Sequence, residues 1–287
     1  MRFREGTVVG RMTGPAPSPR AARIGLIAGN GAFPLMFARA ARQQGIPVVA
    51  AAVKGDTSLR IHLVCDEVRW FSPGQLRELF RYFRSRDIRR VLMAGQVDPG
   101  HLFRKGMPVD EEFRALFDAL ADRRCDTIFG AVADRLEAEG MELLDSTFLI
   151  RDFLAPRGVL TRRAPSDGEK ADIDFGAAIA KQMGGLDIGQ TVVIKGKAVV
   201  AIEAMEGTDR CILRGGAIAR EGAVVVKTSK PRQDPRFDVP VIGPRTVAAM
   251  RKARASCLAV EAGKTLIIDR PRTVALADKA GISLFSF

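Results

Sequence analysis

"IGLIAGNGAFPLMFARAARQQG", residues 24–45, decides the architecture of the first half of the chain. Its opening apolar run reads as a short buried strand. A Gly29-Asn30-Gly31 turn follows, and then apolar residues at helical spacing up to the stop at Gly45. The same pattern repeats downstream. "PVVAAAV" (47–53) is a strand ended by "KGDTS", "SPGQLRELFRYFRSRD" (72–87) is a helix, and "RRVLMAGQV" (89–97) is a strand leaving into glycine. "DEEFRALFDALADRR" (110–124) and "DTIFGAVADRLEAEG" (126–140) read as helices, and "MELLDSTFLI" (141–150) as another strand. Such alternation predicts an α/β class, with a Rossmann-like domain of parallel strands and helices on both faces over residues 23–155.

A Pro-, Gly- and charge-rich segment then changes the texture, and residues 156–169 read as a linker. Residues 170–287 read as a smaller mixed α/β domain. It comprises a helix near 170–183, a hairpin in "TVVIKGKAVVAIEA" (191–204), a strand in "GAVVVKTS" (222–229), a helix starting near Pro244 and closing short strands around one more helix. Residues 1–22 lack the apolar core of a signal peptide and read as a flexible leader.

The chain has 287 residues and is 47 % hydrophobic, enough for two domains with their own cores. No apolar run approaches the roughly 20 residues of a spanning helix. Four cysteines without a CxxC pair argue for reduced thiols and a cytoplasmic setting. With 45 Lys and Arg against 33 Asp and Glu, the net charge of +12 favours an anionic partner. The basic residues are dispersed and not interleaved with aromatics, which disfavours nucleic acid and leaves phosphorylated metabolites or an acidic membrane surface.

Two strand exits into glycine, Gly29-Asn30-Gly31 and Gly95-Gln96, suit phosphate binding by backbone N–H groups at the carboxyl edge of a sheet. Asp56, at the end of the second strand, stands where a dinucleotide enzyme holds ribose, but Pro34 occupies the place of the third glycine of that fingerprint. "EAGKTLIID" (261–269) imitates a P-loop but has Leu258 where its first glycine belongs, and Gly263-Lys264-Thr265 reads as a hairpin turn. His62 and His101 are the only histidines, so histidine-rich metal sites are hard to build, and oxygen-held hard cations are favoured.

The acids and bases of the second half form the richer constellation. "AIEAMEGTD" (201–209) sends Glu203, Glu206 and Asp209 from a strand into a glycine turn. "KTSKPRQDPRFDVPVIG" (227–243) presents Lys227, Lys230, Arg232, Gln233, Asp234, Arg236 and Asp238 on one irregular stretch. Acids for a divalent ion and bases for phosphate oxygens are the requirements of phosphoryl chemistry. Asp122 and Asp126, on first-half helices, read as surface residues.

"GLIAGNGAFP" (25–34), "MAGQV" (93–97), "ADID" (171–174), "LDIGQTVVIKGKAVVAIEAMEGTD" (186–209) and "KPRQDPRFDVPVIGPRT" (230–246) together resemble the LpxI-type UDP-2,3-diacylglucosamine pyrophosphatases over about residues 23–287. The resemblance implies a Mg²⁺-dependent hydrolase of lipid A biosynthesis. It would yield UMP and 2,3-diacylglucosamine 1-phosphate (lipid X) at the cytoplasmic face of the inner membrane, with the lipid held between two domains. It places the catalytic aspartate at Asp238 of "FDVPVIG" and makes Glu206, Thr208 and Asp209 the next choices. On this reading Glu206, Asp209 and Asp238 hold magnesium, Lys227, Lys230 or Arg232 stabilises charge, and Gly29, Asn30, Gly31, Gly95, Gln96, Thr208, Lys227 and Gln233 contact substrate. Asp238 is open to either role, metal ligand or base. A peripheral membrane contact and a homodimer are compatible with it. An NAD-dependent oxidoreductase and a non-catalytic nucleotide-sugar or lipid-binding protein are the competing readings.

Overall fold

A computed structural model describes residues 23–98, 100–101 and 106–287; the expected leader, residues 1–22, lies outside them. The first half builds a five-stranded parallel sheet of β1 (Ile24–Ala28), β2 (Val48–Val53), β3 (Glu67–Phe71), β4 (Arg90–Ala94) and β5 (Glu142–Leu143), in the order β3-β2-β1-β4-β5. β1 is central, with Ile24 opposite Val48 on one side and Arg90 on the other. Its alternating side chains explain the helices on both faces. Ile24, Leu26 and Ala28 pack with Phe33 and Phe37 of α1 (Phe33–Gln43), in which Pro34 lies in the first turn. Val49, Ala51, Val91 and Met93 face the other way. They meet Leu79, Phe80 and Phe83 of α2 (Leu76–Ser85), and Ala133 and Leu136 of α4 (Cys125–Ala138), while α3 (Glu111–Asp118) packs outside.

The second half is α/β as well, with a six-stranded mixed sheet of order β6-β13-β11-β9-β7-β8. Here β9 (Val224–Lys227), β11 (Cys257–Val260) and β13 (Ser283–Ser286) are parallel. β7 (Thr191–Lys195) runs against β9 and forms the expected hairpin with β8 (Ala198–Ile202). Helix α5 (Asp167–Gly185) covers one face, and α6 (Thr208–Ala219), α7 (Pro244–Lys252) and α8 (Arg270–Lys279) cover the other. The two halves are stitched by a parallel pair, β10 (Val241–Ile242) and β12 (Leu266–Ile267). Leu266 is buried in the α1-side core of the first half, whereas its neighbour Ile267 is buried in the core of the second.

Three local expectations are corrected. Only Glu142–Leu143 of "MELLDSTFLI" is a strand, because Ser146 breaks away to bond the 234–238 loop. Gly263-Lys264-Thr265 is a turn but not a hairpin: β11 and β12, on either side of it, belong to different sheets. The stretch 156–169 carries β6 (Gly158–Val159), paired with β13, and Ser166, which forms a capping box with Glu169 at the start of α5.

Candidate functional site

Asp238 reaches its position through a tightly bonded loop. Asp238 N donates to Asp234 O (2.9 Å), Gln233 Nε2 donates to Asp238 O, and Gln233 Oε1 accepts from Lys230 N (2.9 Å). The loop is docked on the first half. Ser146 N donates to Pro235 O (2.9 Å), Ser146 Oγ lies 2.7 Å from Arg236 O and 2.8 Å from Met93 O, Arg236 pairs with Glu137 of α4, and Phe237 stacks on Phe129. Ser146 follows β5 and Met93 belongs to β4, so the loop sits over the carboxyl edge of the first sheet, where open α/β sheets collect ligands.

There Lys230 is surrounded by three carboxylates. Its Nζ lies 2.6 Å from Asp126 Oδ1, 2.5 Å from Asp187 Oδ1 and 3.0 Å from Asp238 Oδ2, with the lysine side chain only 7 % exposed. Asp126 opens α4 in the first half, while the other two carboxylates come from the second. Asp187, held at positive φ just beyond α5, also accepts from Asp126 N (3.0 Å). The start of α4 is thus capped by an acid from the opposite half. Burial works to lower the Lys230 pKa, but the three acids, Asp238 foremost, hold it above the usual lysine value. Burial pushes the Asp126 carboxyl up despite Lys230. Gln190 Nε2 donates to Asp238 Oδ1 (2.8 Å). Asp238 Oδ2 is buried with no aligned hydrogen-bond donor, having only its ion pair to Lys230.

A second cluster adjoins it along the sheet. Thr191 is opposite Lys227 in the β7–β9 ladder, and Thr228 N donates to Gln190 O. Buried Lys227 donates to Thr208 Oγ1 (2.7 Å) and lies 3.9 Å from Glu203 Oε2, an acceptor with no hydrogen-bond partner. Thr208 is the first residue of α6, whose N-cap, Gly207, has φ 83° and offers no side chain to the helix N–H groups.

The structure therefore brings Asp238, Lys230 and Gln233 together, and Lys227 with Thr208, but disperses the expected magnesium set. Glu206 Oε1 accepts from Arg214 (2.5 Å) and Asp209 pairs with Arg245 (3.5 Å). Burial pushes the Glu206 carboxyl up, but Arg214 and backbone donors outweigh it and hold it below the usual range. Among the described residues, no three His, Cys, Asp or Glu side chains form a group able to hold a metal; the triad Asp126–Asp187–Asp238 has an ammonium at its centre. The oxygen-only donors, with two negative charges left after Lys230, still match a hard divalent ion in kind and charge.

The glycine turns differ from expectation as well. Gly29 N donates to Ala94 O (2.8 Å), and Asn30 and Gln96 exchange backbone hydrogen bonds (2.6 and 3.3 Å). Their N–H groups are spent between the two turns, and Gly31 alone borders open space. Arg232 is exposed. Asp126, read as a surface residue, keeps 41 % of its side chain exposed and yet pairs with Lys230, which joins it to the site. Asp187 and Gln190 were missed, although both lie in "LDIGQ", a stretch that carried the resemblance.

The comparisons with known proteins agree along the chain. The LpxI N-terminal domain model matches residues 23–153 and the LpxI C-terminal domain model residues 156–285. A relative from Caulobacter vibrioides, UDP-2,3-diacylglucosamine pyrophosphatase LpxI, is 31 % identical over 273 residues, covering 91 % of this chain and 95 % of the relative. Among solved structures, the biotin carboxylase subunit of pyruvate carboxylase is similar at TM-score 0.26 and 14 % identity, over 64 % of this chain and 38 % of that one. The biotin carboxylase domain of Hydrogenobacter thermophilus 2-oxoglutarate carboxylase gives TM-score 0.27 and 14 % identity, over 69 % and 41 %. The chain spans about two fifths of each, and likenesses this slight carry no argument. Two domain models and a relative matched nearly end to end lead to one conclusion: the chain belongs to the LpxI family.

Proposed function

We propose that this chain hydrolyses the phosphoanhydride of UDP-2,3-diacylglucosamine to UMP and lipid X, with Asp238 as the residue that directs water. The carrying observation is the buried Oδ2 of Asp238, free of aligned donors, inside a charged cluster built by both halves. Gln190 holds the other oxygen, so the carboxylate is fixed in orientation. Asp238 accepts the proton of a water molecule whose oxygen forms the new bond to phosphorus, while the bridging P–O bond breaks in line and its electron pair leaves with the departing phosphate. Lys230, kept protonated by its three acids, and Lys227 beside Thr208 and the uncapped start of α6 take up charge on phosphate oxygens.

Diphosphate would be repelled by a cluster of net charge −2, which supports the requirement for Mg²⁺. With Lys230 already at their centre, Asp126, Asp187 and Asp238 do not close on a metal by themselves; they would hold the ion only by sharing it with the diphosphate, and bound there it would screen the diphosphate and acidify water. Asp209 and Glu206, committed to arginines, are given no part. Among the described residues no helix is long and apolar enough to cross a membrane. The +12 charge supports peripheral contact with acidic headgroups, where an acylated substrate resides.

The test is release of UMP from UDP-2,3-diacylglucosamine by the pure chain with Mg²⁺, then with EDTA. The expected result is metal-dependent release, reduced at least 100-fold in Asp238→Asn at an unchanged melting temperature. Near-normal turnover in that variant rejects the assignment.

A further inference from the structure

Helices α6, α7 and α8 all end at the amino edge of the second sheet, the edge opposite Lys227 and Lys230. α8 stops in the usual way, with Gly281 at φ 68° in the left-handed turn that closes many helices. α6 and α7 place arginines there instead: Arg220 has φ 67° and Arg254 has φ 51°. Side chains are disfavoured in that conformation, which glycine takes freely. The C-terminal dipole of α7 accounts for Arg251 and Lys252 in its last turn, but not for a third cation on a disfavoured backbone.

Arg251 and Arg254 line a cavity of about 480 Å³ together with Glu221, Gly222, Ser256 and Ile282. It sits just before β9, β11 and β13. Gly222 is five residues from Lys227, the last of β9, which places the cavity about 16 Å away at about 3.3 Å per residue. Its backbone acceptors are already occupied. Glu221 O accepts from Lys195 Nζ (2.7 Å), Arg254 O from Gly222 N (2.8 Å), Ser256 O from Ser283 N (2.9 Å) and Gly281 O from Arg163 Nε (3.0 Å). The guanidinium groups of Arg251 and Arg254, by contrast, make no hydrogen bond or ion pair among the described residues. Glu221 is the single acid on the lining, so the wall is net positive.

We infer that this cavity binds a phosphomonoester, at an anion site separate from the hydrolytic cluster, with Arg251 and Arg254 holding the phosphate. A guanidinium fork matches two phosphate oxygens, and a dianion takes both cations. The volume exceeds that of phosphate and leaves room for a body of glycerol or sugar size, whose hydroxyls Glu221 accepts. Such an ester comes either free in solution or as the headgroup of a lipid.

Calorimetric titration of the full chain with glycerol 3-phosphate, in wild type, Arg251→Gln and Arg254→Gly, tests the site. Each variant is expected to bind the ester about tenfold more weakly, the scale of one lost charge-assisted hydrogen bond. Glycine suits the left-handed position, so Arg254→Gly is expected to melt no lower than wild type. Co-sedimentation with phosphatidylcholine vesicles, with and without phosphatidic acid, separates the two sources. Sedimentation that needs phosphatidic acid and is lost in Arg254→Gly assigns the headgroup. Sedimentation unaltered in that variant, with ester binding lost, assigns a soluble ester. Ester affinity and sedimentation unchanged in both variants overturn the site, because any binding then belongs elsewhere, Lys227 and Lys230 included. A lower melting temperature in Arg254→Gly, with ester binding intact in Arg251→Gln, also overturns it by making Arg254 a structural residue. Neither arginine belongs to the hydrolytic cluster, so the hydrolase reading stands or falls separately.

Discussion

Lys230 shows how one buried charge is maintained by its neighbours. An ammonium with 7 % side-chain exposure is costly alone, and Asp126, Asp187 and Asp238 offset that cost by ion pairs at 2.5–3.0 Å. Removing it leaves three uncompensated carboxylates. Lys230→Met is expected to lose about 3–5 kcal/mol of stability in urea unfolding, together with turnover. Asp126→Asn, which removes one of those carboxylates without emptying the site, is expected to be far milder in stability. Asp238 and Lys230 were legible because both lie in one long motif. Asp126 and Asp187 were not: their roles come from a contact between residues 61 positions apart, and nothing local marks a helix start for capping by a distant acid.

At the scale of elements, small residues decide how closely helices lie on the second sheet. A Cβ at Gly176 of α5 would come within 2.8 Å of Val226 Cγ2 and 2.9 Å of Ile194 Cγ1. Gly176→Val is therefore expected to push α5 off β7 and β9 at a cost of about 1–3 kcal/mol, read as a lower urea midpoint. Asp187 follows α5, so the same variant should also weaken turnover before unfolding. The strands and helices were readable from their periodicity. The pairing of β12 with β10 instead of β11 was not, because a two-residue strand carries no register signal of its own.

Across the whole molecule, ion pairs within the second half fix its acid stability. Burial pushes the Glu261 carboxyl up, but Lys181, Lys264 and Ser229 outweigh it and bring it from 4.5 to about 2; Glu169 is likewise brought to about 2, by Arg163 against burial. Both folded values are depressed, so the stabilisation is fully present above pH 4.5 and is lost as pH falls toward 2. The melting temperature is expected to drop through that window in circular dichroism. Glu261→Gln should be less stable near neutrality and less sensitive to the same acidification; an unchanged pH profile would remove Glu261 from the account.

By itself the sequence determined the α/β class, the two sheets and the motif holding Asp238, Lys230 and Gln233, because periodicity and short-range turn chemistry are local properties. Tertiary structure decided which acids meet. It turned Glu206 and Asp209 to arginines, tied the Gly29 and Gly95 turns to each other, and brought Asp126 and Asp187 onto Lys230. The physical reason is that charge pairing is settled by distance in space, and a buried ammonium selects whichever carboxylates the packing of two domains places within about 3 Å.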